Sequence, residues 1–258
     1  TNVTQHLGYA TIQAAINDAH SGDVLSVAAG TFVENVVVNV PVEIYGAGQD
    51  QTFVIPAVSY PYCAGSSLCG GLASNVFLVQ ANNVKIHDLT IDGDNPALTS
   101  IYDRGGANVD ARNGIIKNTN ATYNNLEVYN TTVKNIYLRG IYSTDGSFNF
   151  HHNTVTNVQG DSSSIGIFSF YGIGKVENNT VSYANDAISA NWSYGIEFLG
   201  NTITHSNSGI HTDNAGSTVG SVPDLIKGNT IDCTGVTDAY GVFVFSPYIA
   251  PTIDENTI

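Results

Sequence analysis

The sequence predicts an all-β solenoid of short coils stacked on one another, with a short helix laid across its first coil. Three observations predict it: a recurring triplet, hydrophobic residues locked to that triplet, and a composition rich in turn formers and poor in charge. The triplet is Asn-Thr-Ile/Val, at Asn153-Thr154-Val155, Asn179-Thr180-Val181, Asn201-Thr202-Ile203, Asn229-Thr230-Ile231 and Asn256-Thr257-Ile258, with Thr131-Thr132-Val133 as an imperfect sixth copy. Successive copies lie 22, 26, 22, 28 and 27 residues apart. Three residues before each copy stand Val128, Phe150, Val176, Phe198, Ile226 and Ile253; two residues after its first position stand Val133, Val155, Val181, Ile203, Ile231 and Ile258. All twelve are hydrophobic in a chain that is only 42% hydrophobic. Units this short cannot bury a face alone, so they must stack on their neighbours. Charged residues make up 12%, about half the usual share, and 26 Gly and 28 Asn fill the gap.

Taken in order, the chain opens with Thr11 to His20, where Ile12, Ala15, Ile16 and Ala19 recur at helical spacing. Thr11 is the natural N-cap, and Gly22-Asp23 ends the segment. A helix over residues 11–20 covers the open edge of the first coil against end-to-end pairing. Strands follow at Val24–Val27, Asn35–Val40 and Val42–Tyr45, with turns at Gly30 and Gly46–Gly48. Residues 24–100 read as the first coils with a loop insertion at 56–72, and residues 108–258 as the repeated coils of the same single domain, 1–258. Within these, a small residue precedes an aliphatic one at Gly114-Ile115, Gly140-Ile141, Gly166-Ile167, Ala187-Ile188, Gly209-Ile210 and Gly241-Val242. Each unit therefore holds two or three short period-2 strands, and an inward Asn at a coil corner can bond backbone groups and the Asn of the next coil. The chain stops at Ile258, just after a triplet. This leads to the expectation of a longer protein, with further domains or an end-to-end contact at the final coil.

Charge narrows the partners. Eight Lys and Arg against 22 Asp and Glu give a net charge of −14, which argues against nucleic acid, whose phosphates need clustered basic residues. No apolar run reaches the length of a membrane span, so no membrane insertion is expected. Cys63 and Cys69 flank a short Gly/Ser loop and suit a local disulfide in an oxidising compartment; they offer too few ligands for zinc. Cys233 is left as a buried free thiol. With a chain starting at Thr1, the reading is a mature segment of a secreted or cell-surface protein.

The stretches Tyr9-Ala-Thr-Ile-Gln-Ala-Ala-Ile16, Gly22-Asp23-Val-Leu-Ser-Val27, Gly30-Thr31-Phe32-Val33-Glu34-Asn35 and Ile44-Tyr45-Gly46-Ala47-Gly48 resemble the N-terminal cap and first coils of the pectin-lyase-like superfamily. The later coils resemble its generic repeats in bacterial surface proteins. The resemblance covers nearly the whole chain and implies a single-stranded right-handed parallel β-helix. It is specific for fold and weak for function, because the superfamily spans lyases, hydrolases, esterases, epimerases, adhesins and phage spikes. Its enzyme signatures are missing: the polygalacturonase set, the pectin-methylesterase Gln and paired Asp motifs, the Asp-Pro-His-Asp of alginate epimerases and the Arg-rich strand of pectate lyases. Eight basic residues also argue against a substrate-facing Arg cluster.

The small-aliphatic strand still carries candidates. If the aliphatic residue points in, the next one and the one two further on point out. The first outward row is then Ile116, Tyr142, Phe168, Ser189, His211, Phe243, and the second Asn118, Thr144, Phe170, Asn191, Asp213, Phe245, with Trp192 and Tyr248 close by. Tyr142, Phe168, Phe170, Ser189, Asn191, Trp192, Phe243 and Phe245 suit sugar-ring stacking and hydroxyl hydrogen bonding. Alternatively, a loop such as Ser217–Pro223 covers the rings as a satellite core. His211 is the acid/base candidate and Asp213 its carboxylate partner, about 6.6 Å apart along one strand. Asp186 with Asp213, offset by five strand positions or roughly 16 Å, is too far apart for a glycosidase pair.

Asp92 and Asp94 could offer oxygen ligands to Ca²⁺, but a plain Asx/Gly turn is the favoured reading because the rest of a calcium loop is missing, and no other cofactor is expected. His151 and His152 should face opposite sides of a strand and so not chelate together. The function read from this is a non-catalytic extracellular module for glycan contact, adhesion or surface structure. The alternative is a polysaccharide lyase or glycoside hydrolase working along the aromatic face.

Overall fold

A computed structural model describes residues 1–117, 120–213, 222–245 and 249–258. Each coil passes through three parallel sheets, which we label A, B and C in the order the chain meets them. Among the described residues sheet A has nine strands, from Asp23–Ser26 to Thr252–Asp254; sheets B and C have eight each, from Gly30–Val33 and Val36–Val38 to Thr230–Asp232 and Tyr240–Val244. Among the described residues, the antiparallel strand pair is confined to a corner loop, Asp103–Arg104 against Ala107–Asn108. The chain is thus a right-handed parallel β-helix, as its repeat predicts.

Register confirms the alignment residue by residue. Val128, Phe150, Val176, Phe198, Ile226 and Ile253 are successive partners in sheet A. Val133, Val155, Val181, Ile203 and Ile231 do the same in sheet B. Both columns are buried, except that Ile253 on the last rung is half exposed. A fully buried aliphatic or Phe side chain contributes about 1.5–3 kcal/mol, so these columns are the spine of the core.

The helix is shorter than the spacing suggests, Ile12–Asn17, because Asp18 already caps it. Thr11 accepts from the Ala14 N–H at 3.0 Å, as expected of an N-cap. Glu34 holds the same end, accepting from the N–H groups of Ile12 (2.9 Å) and Gln13 (3.0 Å), and Ile12, Ala15 and Ile16 pack down on the first coil.

Corners differ in kind. Sheet A passes to sheet B through two residues in every coil from His87 onward. The first is left-handed: Asp88, Asn130, His152, Asn178, Gly200, Gly228, Glu255. From the third of these corners on, the second residue is Asn. Asn153, Asn179, Asn201 and Asn229 are buried and, with half-buried Asn256, form a ladder in which the Nδ2 of each of the first four donates to the Oδ1 of the next at 2.9–3.0 Å. Insertions fall at the other two corners. Residues 56–74, 93–112 and 159–164 lie between sheets B and C, and residues 192–196 between C and A.

The small residue of the small-aliphatic signature has a steric cause. A Cβ on Gly140 would lie 2.3 Å from the Gly166 carbonyl oxygen and 2.9 Å from Val155 Cγ1. One coil's backbone packs directly on the next at that point.

Candidate active site on the outer face of sheet C

The outward rows are in register as read from the sequence. Ile116, Tyr142, Phe168, Ser189, His211 and Phe243 are successive partners, as are Thr144, Phe170, Asn191 and Asp213. Asn118, Tyr248 and residues 217–221 of the suspected covering loop lie outside the described residues. The covering segment seen is a different one. Leu68, from the insertion after Ile55, packs with Ile116, Tyr142, Ile165 and Phe168 in a second core. Tyr142 and Phe168, stacked at 4.9 Å, are therefore only 4% and 6% exposed.

Two devices hold that loop down. Cys63 and Cys69 are disulfide-bonded. Arg112 is buried and donates to the carbonyls of Pro61 (2.9 Å), Ser67 (3.1 Å) and Ser66 (3.3 Å). Cys233 is a half-buried free thiol, raised above its ordinary pKa by burial.

Beside the loop opens a groove of about 700 Å³, lined by Arg139, Tyr142, Thr144, Asp145, Asp161, Ser163, Phe168, Phe170, Tyr171 and Asn191, with Arg112 and the disulfide loop on one wall. A scarcity of basic residues does not keep arginine from this face: two of the eight converge on it. Arg112 is used up on loop carbonyls. Arg139 is not. Its guanidinium lies 4.6 Å over the Phe168 ring and 6.0 Å from the Tyr142 ring, and donates to the Ser163 carbonyl. Its Nε is buried without a hydrogen-bond partner. Among the described residues no carboxylate is within 4 Å of it. Burial pushes its pKa down to about 10, so it still carries its charge at neutral pH.

His211 adjoins this groove through a short chain of side chains. Ser189 Oγ donates to Asn191 Oδ1 at 2.9 Å and lies 3.3 Å from His211 Nδ1. The hydroxyl proton being committed, Ser189 accepts from His211 Nδ1–H, and that tautomer leaves a lone pair on Nε2. His211 Nε2 is buried and has no partner. The carboxylate within ion-pair reach of His211 is Asp186, 3.7 Å from Nδ1. Asp213 is buried, and its Oδ1 accepts from the Trp192 backbone N–H at 2.7 Å. Asp186 and Ser189 are three apart, so strict alternation would put them on opposite faces, yet both reach His211.

The remaining rings split into two exposed groups. Trp192 lies 5.7 Å from Tyr171, and Phe243 lies 6.1 Å from Phe245 and 5.0 Å from His211. Tyr171, missed from the sequence, occupies the same left-handed corner as Trp192 one coil earlier. Aligning corners rather than strands would have found it. Arg139, Asp161 and Ser163 carried no such signal. At Asp92, Oδ1 accepts from Asn135 Nδ2 (2.7 Å) and the Asp94 N–H (3.1 Å), and Oδ2 pairs with Lys134 (3.0 Å). Among the described residues no three His, Cys, Asp or Glu side chains gather as a metal group.

No protein-family model and no curated protein sequence matches the chain. Solved structures do. A pectin methylesterase from Yersinia enterocolitica is similar over 96% of this chain and 90% of its own, at 14% identity and a TM-score of 0.59. An alginate lyase from Paenibacillus sp. str. FPU-7 is similar over 96% of both chains, at 14% identity and 0.59. A polygalacturonase from Erwinia carotovora ssp. carotovora is similar over 91% and 72%, at 15% identity and 0.60. At these identities the likeness is one of fold, the right-handed parallel β-helix.

Proposed function

We propose that the sheet C groove binds an extended acidic glycan and that the protein is a secreted polysaccharide-active enzyme, a lyase or hydrolase. One observation carries this reading: Arg139, a charged group at a 700 Å³ groove, keeps an unused buried N–H and, among the described residues, has no carboxylate within 4 Å. A sugar carboxylate satisfies that cation, and Tyr171, Phe170 and Trp192 offer ring faces beside it. Elimination from a uronate needs a base for the C5 proton and a cation at the carboxylate. His211 offers a base and Arg139 a carboxylate-binding cation along the same face, three coils apart, so an extended glycan rather than a single sugar would meet both. The disulfide supports secretion. Structural neighbours named as a pectin methylesterase, an alginate lyase and a polygalacturonase agree with a glycan as partner.

A panel of polyuronates and neutral polysaccharides, followed by reducing ends and by ultraviolet absorbance of unsaturated products, tests this. Turnover of a polyuronate, lost in His211→Ala and weakened in Arg139→Ala, is the expected result. A second reading, glycan binding without chemistry, is favoured by the commitment of Asp213 to the Trp192 backbone. Binding that needs Arg139 but yields no product would decide for it. Failure of every glycan to bind overturns both.

A further inference from the structure

We propose that His151 and His152 form a divalent-metal site with a preference for Cu²⁺, at the A-to-B corner and away from the groove. Adjacent strand residues should diverge, but His152 leaves the strand with φ 56°. The two rings turn toward each other at 89°, and their Nδ1 atoms lie 3.0 Å apart. Two imidazole nitrogens each about 2.0–2.1 Å from one ion are about 2.9 Å apart at a 90° angle and about 3.4 Å apart at a tetrahedral one. The observed separation matches the 90° geometry of tetragonal Cu²⁺, which also heads the divalent affinity order for nitrogen donors.

A second observation is independent of that distance. His151 Nε2 lies 3.3 Å from Glu127 Oε1, and Glu127 is itself held by Lys85 at 3.1 Å. A carboxylate on the far nitrogen fixes the Nε2–H tautomer and directs the Nδ1 lone pair outward, which is the support metal-binding histidines usually have. The His151 ring is further set by stacking on Tyr129, 5.0 Å away and 4° from parallel. Without metal, His152 Nδ1–H donates to His151 Nδ1. With metal, the ion takes the place of that proton, His152 carries its proton on Nε2 and stays neutral, and water completes the coordination.

CuCl₂ titration of the whole protein in a non-coordinating buffer at neutral pH, read by electron paramagnetic resonance and calorimetry, tests the site. One equivalent should give a tetragonal signal with two equatorial nitrogens. His152→Asn copies the residue that Asn130 and Asn178 place at the same corner of adjacent coils, so the fold tolerates it. It should abolish the two-nitrogen species and weaken the first equivalent at least about tenfold, with a similar weakening in Glu127→Gln. His20→Gln, at a distant exposed histidine, should leave the signal unchanged. A two-nitrogen signal that survives His152→Asn, or no stoichiometric binding by the wild-type protein, overturns the proposal.

Discussion

Replacing Asn201 by alanine removes the middle rung of the buried ladder, and the cost follows from its four hydrogen bonds. Its Oδ1 accepts from the Asn179 backbone N–H and Nδ2, both at 3.0 Å; its Nδ2 donates to Val176 O (2.8 Å) and Asn229 Oδ1 (2.9 Å). Two of the four partners have another bond, since Asn179 Nδ2 also donates to Phe150 O and Asn229 Oδ1 also accepts from the Asn201 N–H. The Asn179 N–H loses its acceptor and the Val176 carbonyl its side-chain donor, in residues 1% and 2% exposed. The Val176 carbonyl keeps its ladder bond from the Leu199 N–H, so one buried polar group is left unpaired, at about 1–3 kcal/mol, and Asn201→Ala should destabilise by about that much. Asn207→Ala breaks an exposed rung, Asn207 Nδ2 to Asn185 Oδ1 at 2.9 Å, and should stay within about 0.5 kcal/mol of wild type. Urea unfolding followed by circular dichroism measures both, and hydrogen exchange at the Asn179 amide reports the local loss. A cost for Asn201→Ala no greater than for Asn207→Ala, with Asn179 still protected, would refute the idea that the ladder holds the corner.

Three further outcomes are expected. Gly140→Ala should destabilise by about 2 kcal/mol or more in the same urea assay, because the new Cβ meets the Gly166 carbonyl at 2.3 Å and neither backbone can yield. Burial pushes the Lys117 ammonium down to about 8, so between pH 8 and about 10.5 the unfolded chain binds the extra proton. Stability should therefore rise with pH across that window relative to Lys117→Met, and the two proteins' stability-versus-pH curves should run parallel below it. Reducing Cys63–Cys69 should cost about 2 kcal/mol or less for so short a loop. It should weaken glycan binding more than it lowers the melting temperature, because Leu68 and the groove wall loosen together.

How much of this was legible follows from what each residue's environment depends on. The columns through Val128 and Val133 could be read off because each coil repeats the same local burial problem, and register copies it upward. The outward rows could be read for the same reason. Their exposure could not, because Tyr142 and Phe168 are covered by Leu68, which lies 74 and 100 residues away in sequence. The meeting of Asp186 with His211 was hidden because strict alternation assigns Asp186 and Ser189 to opposite faces, whereas both reach His211. Arg139 takes a repeat position that holds Asn113 and Ile165 in the adjacent coils, so no column of like residues marks it, and its surroundings come from the insertion that holds Ser163 and from the rings of its own and the next coil.

The contrast between corners has a consequence for how such a molecule can change. The two-residue A-to-B bend is a fixed hinge-line that every coil from His87 onward reproduces, and from Asn153 on it carries the asparagine column. The other two bends flank sheet C and take additions of very different length without disturbing that line. The walls of the groove are therefore exchangeable parts on an invariant chassis. Swapping residues 159–164 for a segment of another length should re-cut the recess while the scaffold beneath keeps its shape.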